Sequence, residues 1–117
     1  MAQSIDYHKK TFRPVTNAAN GEVSSETVFH YQQTGNIVIA NYSGGGILLG
    51  HLVALMDAEG CLDMRYHQVN TRGELQTGIC HSVPEVLPDG RIRLHETWQW
   101  TSGDLSSGQS VVEESEQ

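Results

Sequence analysis

The sequence predicts an all-β fold, a single antiparallel up-and-down meander of about eight strands closed into a barrel. Turn signals that contain glycine recur at short intervals, and glycine supplies the positive φ that tight hairpin turns need. Runs rich in Val, Ile, Thr, Tyr and Trp separate these turns, which is typical of strands. No window carries a helical apolar stripe of sufficient length. The turn signals are Thr34-Gly35-Asn36, Gly44-Gly45-Gly46, Ala58-Glu59-Gly60, Thr71-Arg72-Gly73, Pro88-Asp89-Gly90 and Ser102-Gly103-Asp104.

The predicted strands cover residues 10–15, 27–33, 37–43, 47–57, 62–70, 75–83, 91–101 and 105–113. The polar segment 16–26 is predicted to be a loop, in which Ser24 or Ser25 can cap one short helical turn. The tail 114–117 is expected to fray. Strand twist curls a meander of this size, and closure removes its exposed edges, so a barrel is favoured. A β-sandwich is the alternative, although few connections are long enough for it. The whole chain, 1–117, is predicted to be one domain.

Charge and motifs exclude several classes of function. The chain has 7 Lys and Arg against 14 Asp and Glu, a net charge of -7, so nucleic acid is not an expected partner. Neither a transmembrane stretch nor the apolar core of a signal peptide is visible, so no membrane partner is expected and the cytoplasm is the expected location. Cys61 and Cys80 are predicted to be free thiols. No nucleotide-binding loop or metal-ligand spacing occurs, so neither a cofactor nor a metal is expected.

Strand alternation predicts which side chains point inward. In the fifth and seventh strands the even-numbered residues, most of which are apolar or aromatic, are assigned to the interior. In the sixth strand the odd-numbered residues from Leu75 to Val83 are assigned to the interior. Hairpin registers drawn on this basis place His51 opposite Tyr66 and His81 opposite Glu96. The predicted interior therefore mixes polar and aromatic groups: His51, Tyr66, Gln68, His81, Glu96, Trp98 and Trp100, with Ser107 and Gln109 on the last strand.

This mixed interior predicts a ligand site. A barrel of about eight strands has room for its own side chains or for one small ligand, and polar groups among aromatic rings describe a pocket. The competing interpretation is a closed core in which these groups satisfy one another. As neighbours, His81 and Glu96 form either a unit that orients a ligand or moves a proton, or a plain buried hydrogen bond. The outward-facing His67 and His95 are interpreted as part of a solvated charged face.

Most of the chain resembles a group of short bacterial proteins. The resemblance is carried by NGEVSSETVFHYQQTGNI, LDMRYHQVNTRGEL, TGICHSVPEVLPDGRIRLHE and WQWTSGDLSSG. Such proteins often bear the name N-acetylglutamate synthase, which implies an acetyl-CoA-dependent acetyltransferase. That enzyme's α/β fold has a glycine-rich pyrophosphate loop opening a helix. This sequence has neither feature, so no functional residue of the enzyme is carried over.

A looser resemblance connects the chain to calycins, the lipocalin- and avidin-like barrels. It rests on the predicted meander and on Trp98-Gln99-Trp100-Thr101 followed by a Ser-Gly turn. The resemblance implies a barrel that binds a small molecule in its interior. One alternative is a cofactor-free lyase or isomerase that uses interior Tyr, His and Glu as acid and base. Another is an interaction protein that forms a homo-oligomer through an outer apolar face made of Val38, Ala40, Leu48 and Leu52.

Overall fold

Eight antiparallel strands form a closed barrel in the computed structural model, which describes residues 5–16 and 22–115. Each strand pairs with its neighbours in the chain, and β1 pairs with β8 to close the sheet. The described residues contain no helix. The prediction of an all-β up-and-down barrel is confirmed. The strands are β1 Lys10–Thr16, β2 Val28–Thr34, β3 Ile37–Gly44, β4 Ile47–Met56, β5 Leu62–Asn70, β6 Leu75–Val86, β7 Ile92–Trp100 and β8 Ser107–Glu114.

The predicted strand boundaries differ from these by three residues at most, the largest difference being the longer end of β6. The helical turn expected near Ser24 is absent from residues 22–26, which instead contain a turn closed by Thr27 N donating to Ser24 O at 3.0 Å. Residues 17–21 of the predicted loop and residues 116–117 of the predicted frayed tail lie outside the described part of the chain. None of the described residues belongs to a helix that could cross a membrane.

The barrel has two different ends. The loops 35–36, 57–61 and 87–91 lie at one end, which we call the closed end because Tyr7 is buried there. The Tyr7 hydroxyl donates to Gly60 O at 2.6 Å, and the Tyr7 ring packs on those of Phe12 and Tyr31. The loops 45–46, 71–74 and 101–106 lie at the other end, the cavity end.

Three hairpin loops share one geometry that determines the inward face. In loops 58–60, 71–73 and 88–90 the last residue is a glycine with positive φ: Gly60 at 85°, Gly73 at 78° and Gly90 at 90°. Leu87 N donates to Arg91 O at 2.8 Å across the last of these loops, and Gly90 N closes the inner turn on Leu87 O. A three-residue loop pairs residues of equal parity across the hairpin. The even-numbered residues therefore face inward on β5, β6 and β7 and, from Gly50 onwards, on β4, where a register shift between Ile47 and Leu49 leaves Leu48 exposed.

The predicted hairpin registers are wrong by one residue. Tyr66 lies opposite Leu52, not His51. Glu96 lies opposite Ser82, whereas His81 pairs with Thr97. Because side chains alternate between the two faces of a strand, this shift turns the predicted inward face of β6 outward.

Four residues predicted to be interior lie on the outer wall. His81 is exposed, as are Ser107 and Gln109 on β8. His51 is half-buried, opposite His67, with their ring centroids 5.4 Å apart on the outside of the barrel. The interior placement of these residues is a wrong prediction, and the His81–Glu96 pair does not form.

The pattern of β6 explains this error. Its outer face carries apolar side chains such as Ile79 and Val83, whereas its buried face carries Gly78, Cys80 and Ser82. Apolar alternation alone points to the odd-numbered residues as the core face. The rule fails here because the interior beside β6 is filled by small groups and borders a cavity.

The prediction of which residues make up the outer apolar face is also wrong. Val38, Ala40 and Leu52 are buried inside the barrel, and only Leu48 is exposed, at 59%. The formation of a homo-oligomer stays a prediction. Large apolar side chains that are exposed on β3 and β4 are Ile37, Leu48, Leu49, Val53 and Leu55.

Candidate ligand-binding cavity

A cavity of about 70 Å³ lies inside the barrel towards the cavity end. Five of the seven predicted site residues border it, and the two that do not are His51 and His81. The side chains that line it come from the loop before β2 and from β2 to β8. They are Val23, Phe29, Tyr42, Leu52, Met64, Tyr66, Gln68, Cys80, Glu96, Trp98, Trp100 and Ser110.

β7 contributes three successive inward-facing residues to the cavity wall. Glu96, Trp98 and Trp100 alternate with outward-facing residues, so all three side chains point inward. Leu94, the inward residue before them, is fully buried near the closed end. Trp100 also borders a second hollow at the cavity end. The strand direction therefore puts Glu96 deepest in the cavity and Trp100 nearest to its mouth.

Glycines on neighbouring strands make room for the aromatic rings of the cavity wall. Tyr42 pairs with Gly50, and a Cβ at Gly50 would overlap the Tyr42 ring. Tyr66 pairs with Gly78 in the same way, and a Cβ at Gly78 would overlap the Tyr66 ring and hydroxyl. Because each ring lies over a glycine of the adjacent strand, it covers the wall instead of crossing the lumen.

A third pair of the same kind is on the other side of β7. Trp98 pairs with Gly108 of β8, and a Cβ there would come within 2.5 Å of the indole ring. The indoles of Trp98 and Trp100 are 5.7 Å apart at an interplanar angle of 62°. Tyr66 meets Trp100 at 5.8 Å and 66°. These edge-to-face contacts are a favoured aromatic geometry and give the cavity walls that face in different directions.

The Glu96 carboxyl is the one acidic group among the residues that line the cavity. Ser110 Oγ donates to its Oε1 at 3.1 Å, and Ser82 Oγ donates to its Oε2 at 3.3 Å. Burial raises the pKa of Glu96 from 4.5 to about 7, although these two hydrogen bonds oppose the rise. No ion pair reaches Glu96 from the described residues. It is therefore an acid that changes charge near neutral pH inside an apolar site.

The neighbouring titratable groups are held in their neutral forms. Burial, with smaller contributions from Cys80 and Glu96, raises the pKa of Tyr66. Burial raises the pKa of Tyr42, with smaller contributions from Tyr66, Glu96 and Cys80. Burial also raises the pKa of the Cys80 thiol, and Glu96 adds to this effect. All three groups consequently remain uncharged at neutral pH.

A chain of hydrogen bonds runs from the cavity to its mouth. The Tyr42 hydroxyl donates to Gln68 Oε1 at 2.9 Å, and Gln68 Nε2 donates to Gln76 Oε1 at 3.0 Å. Gln76 Nε2 then donates to Glu22 Oε1 at 3.3 Å, which also accepts from Arg72 Nη2 at 2.6 Å. Buried polar groups need such partners, and this chain fixes the orientation of the Gln68 side chain beside the cavity.

The mouth itself is a surface hollow of about 290 Å³. Three acidic side chains, Glu22, Glu74 and Asp104, line it together with Trp100. Trp100 is the lining residue that this hollow shares with the inner cavity.

The segment that precedes β2 contributes Glu22 to the outer hollow and Val23 to the inner cavity. Thr27 Oγ1 donates to Gly44 O at 3.0 Å, and Ser24 N donates to Thr27 Oγ1 at 3.1 Å. Gly45, with φ at 62°, lies so close that a Cβ there would overlap Ser24 Oγ. The glycine turn between β3 and β4 therefore allows both the tight reversal and the close approach of this segment.

Sequence reasoning missed several cavity residues, among them Tyr42, Ser110 and Cys80. Parity contains a signal for Cys80, because the Gly73 and Gly90 loops on either side of β6 require even-numbered inward residues on the strands that they join. Tyr42 on β3 and Ser110 on β8 lie on strands that these loops do not join. The described residues contain no group of three or more His, Cys, Asp or Glu side chains that could hold a metal ion. Cys61 and Cys80 are both free, as predicted.

Comparison with known proteins gives one result. A family model described as "Avidin-like protein" matches residues 5–115, nearly the whole chain. It supports the looser of the two resemblances, that to calycin barrels, and nothing in the comparisons supports the N-acetylglutamate synthase resemblance. Searches of curated proteins and of solved structures gave no significant match.

Proposed function

The chain belongs to the avidin-like protein family, and from this premise we propose that it binds a small, mainly apolar molecule in the cavity beside Glu96. The observation that carries the proposal is the position of a buried carboxyl group among aromatic rings that glycines hold against the wall. A closed core has no need of an ionisable group at its centre, and burying a carboxylate without a partner of opposite charge is unfavourable.

The cavity limits the size of the ligand. Its volume of about 70 Å³ is roughly half that of an engineered apolar cavity that holds benzene, about 150 Å³. The ligand is therefore a slender molecule of a few heavy atoms, or a longer one whose outer part occupies the hollow beyond Trp100. Tyr66, Gln68, Glu96, Trp98 and Trp100 are its proposed contacts. His51 and His81 are not included because they lie outside the barrel.

Titration with 1-butanol tests this proposal. The only tryptophans of the chain, Trp98 and Trp100, both line the cavity, so intrinsic fluorescence reports on its occupancy. Cys80→Leu should block the cavity, and Cys61→Leu is the matched control because Cys61 lies in the β4–β5 loop. A saturable fluorescence change is expected in the wild type and in Cys61→Leu, and none in Cys80→Leu. An equal change in Cys80→Leu would contradict the proposal. So would the absence of a saturable change in the wild type with 1-butanol and also with its charged analogues n-butylamine and butyrate.

A further inference from the structure

We propose that the ligand is a small organic cation, such as an alkylamine in its ammonium form, with the Glu96 carboxylate as its counter-ion. This inference rests on the proposed function and adds the charge of the ligand to it. It is drawn from the charges that line the cavity, from the arrangement of its aromatic rings and from the acidic mouth.

The cavity offers nothing that could balance an anion. None of its lining residues is Lys, Arg or His, and residues 17–21 contain none of these either. The Glu96 carboxylate has two serine hydroxyls as hydrogen-bond donors and no cation among the described residues. A cationic ligand supplies the missing opposite charge, which a buried carboxylate requires to be stable in its ionised form.

Every other titratable group around Glu96 is neutral near pH 7. Those that face it are Tyr31 of β2, Tyr42 of β3, Tyr66 of β5 and Cys80 of β6, and burial raises the pKa of each. β4 and β8 contribute Leu52 and Ser110, which do not titrate. Within the described residues, the charge of the cavity therefore depends on Glu96 alone.

The aromatic walls suit a cation as well. The indoles of Trp98 and Trp100 lie at 62° to each other, and the Tyr66 ring lies at 66° to the Trp100 indole. Rings at such angles present faces in different directions, and cations are attracted to ring faces. Glu96 lies two residues before Trp98 on the same face of β7, so one strand presents the carboxylate and the rings together.

The mouth adds an attraction at longer range. Glu22, Glu74 and Asp104 line the hollow outside Trp100, and Arg72 pairs with both Glu22 and Glu74, so these four side chains carry a net charge of -2. The whole chain carries a net charge of -7. A cleft lined by one sign of charge raises the local concentration of ligands of the opposite sign. Cations are therefore favoured at both the entrance and the floor of the site.

The proposal predicts a specific dependence on pH. With a pKa of about 7 in the empty protein, Glu96 is ionised in roughly nine tenths of molecules at pH 8 and in roughly one tenth at pH 6. A cation binds the ionised form, and the apparent affinity scales with the fraction of that form. Its affinity should consequently fall roughly tenfold from pH 8 to pH 6.

The test compares n-butylamine, 1-butanol and butyrate, which have nearly the same size and differ in charge. The amine, like lysine, stays protonated at both pH values. Tryptophan fluorescence at pH 8 should show the amine binding at least tenfold more tightly than the alcohol, and butyrate binding least. Lowering the pH to 6 should weaken the binding of the amine about tenfold and leave that of the alcohol unchanged.

Two variants sharpen the result. Glu96→Gln keeps the shape and removes the charge, so the amine should bind no more tightly than the alcohol and lose its pH dependence. Ser110→Ala removes a hydrogen bond that lowers the pKa of Glu96, so the midpoint for amine binding should move to higher pH. This milder change keeps the test informative even if Glu96→Gln fails to fold.

The outcomes separate this inference from the proposed function. Equal binding of the amine and the alcohol in the wild type overturns the cation inference and leaves the proposed function intact. Tighter binding of butyrate, or tighter binding of the amine at pH 6, overturns the inference as well. If none of the three molecules binds, both proposals fail.

Discussion

The two ends of the barrel interior are built from the same strands, but one is packed and the other is hollow. At the closed end, Tyr7, Phe12 and Tyr31 have ring centroids 4.8–6.3 Å apart, and all three side chains are buried. At the cavity end, the rings of Tyr42 and Trp98 each lie over a glycine of a neighbouring strand. The rings at the closed end fill the lumen, whereas those at the cavity end cover its wall.

This comparison shows how one alternating pattern produces both a core and a pocket. Alternation decides only which side chains point inward. Whether the space then fills depends on the size of the residue opposite each large ring. The buried residue Tyr7, which precedes the first strand, completes the filling at the closed end, and the described residues place no equivalent ring across the cavity end.

Removal of Tyr7 should have the largest effect on stability. Tyr7→Ala deletes a fully buried ring and the hydrogen bond to Gly60 O, and large-to-small changes of this kind cost about 3–5 kcal/mol. Tyr7→Phe keeps the ring and should lose about 1 kcal/mol. Urea unfolding of both variants measures these costs. Equal and small losses would mean that the closed end is not held by this side chain.

Glu96 should produce the next largest effect, and this effect depends on pH. Because the folded protein holds the Glu96 proton up to about pH 7 and the unfolded chain releases it near 4.5, stability falls as the pH rises through this window. The shift corresponds to a loss of up to about 3 kcal/mol relative to a variant without the acid.

The measurement is the difference in unfolding free energy between the wild type and Glu96→Gln from pH 4 to pH 8. Surface carboxyls with lowered pKa values, such as Glu74 and Asp89, occur in both proteins and cancel in the difference. We expect the unfolding free energy of Glu96→Gln to increase relative to that of the wild type as the pH rises. A difference that does not change with pH would mean that the carboxyl reaches solvent.

Overpacking at a wall glycine should cost less. Gly78→Ala places a methyl group against the Tyr66 ring, and such strain in a packed interior costs about 1–3 kcal/mol. In a Tyr66→Leu background the distal ring atoms are gone, so the same change should cost much less. A double-mutant cycle measured by urea unfolding isolates this coupling. If the two changes prove additive, the ring does not lie over the glycine.

The strands and the closure of the barrel follow from local signals in the sequence. Glycine turns and β-branched runs predict all eight strands, and β5 and β7 reveal their inward faces because Leu62, Met64, Leu94 and Trp98 alternate with polar residues. Such signals are sufficient wherever the interior is packed with large apolar groups.

The cavity is harder to predict than the strands, because the small residues that leave space for it give no apolar pattern in the sequence. The buried face of β6, from which Cys80 borders the cavity, consists of Gly78, Cys80 and Ser82 and gives no apolar pattern, while Ile79 on the same strand faces outward. Only the parity imposed by the three-residue loops would correct the register. The depth of Glu96 and the overlay of rings on glycines depend on contacts between strands, which single-strand patterns do not contain.

The two thiols should show the smallest effect, one on reaction rate with no change in stability. Cys61 is half-buried in the β4–β5 loop, whereas Cys80 is buried in the cavity wall and burial raises its pKa. Thiolates react and buried neutral thiols do not. A thiol reagent such as Ellman's reagent should therefore label Cys61 first, and Cys80 only on unfolding or slow opening. In Cys61→Ser only the slow labelling of Cys80 remains, and in Cys80→Ser only the fast labelling of Cys61 remains.

If 1-butanol occupies the cavity, it should slow the labelling of Cys80 further and leave that of Cys61 unchanged. Rapid labelling of both thiols in the folded wild type would show that the cavity end is as open to reagents as the surface, and the contrast between the two ends would then be one of shape alone.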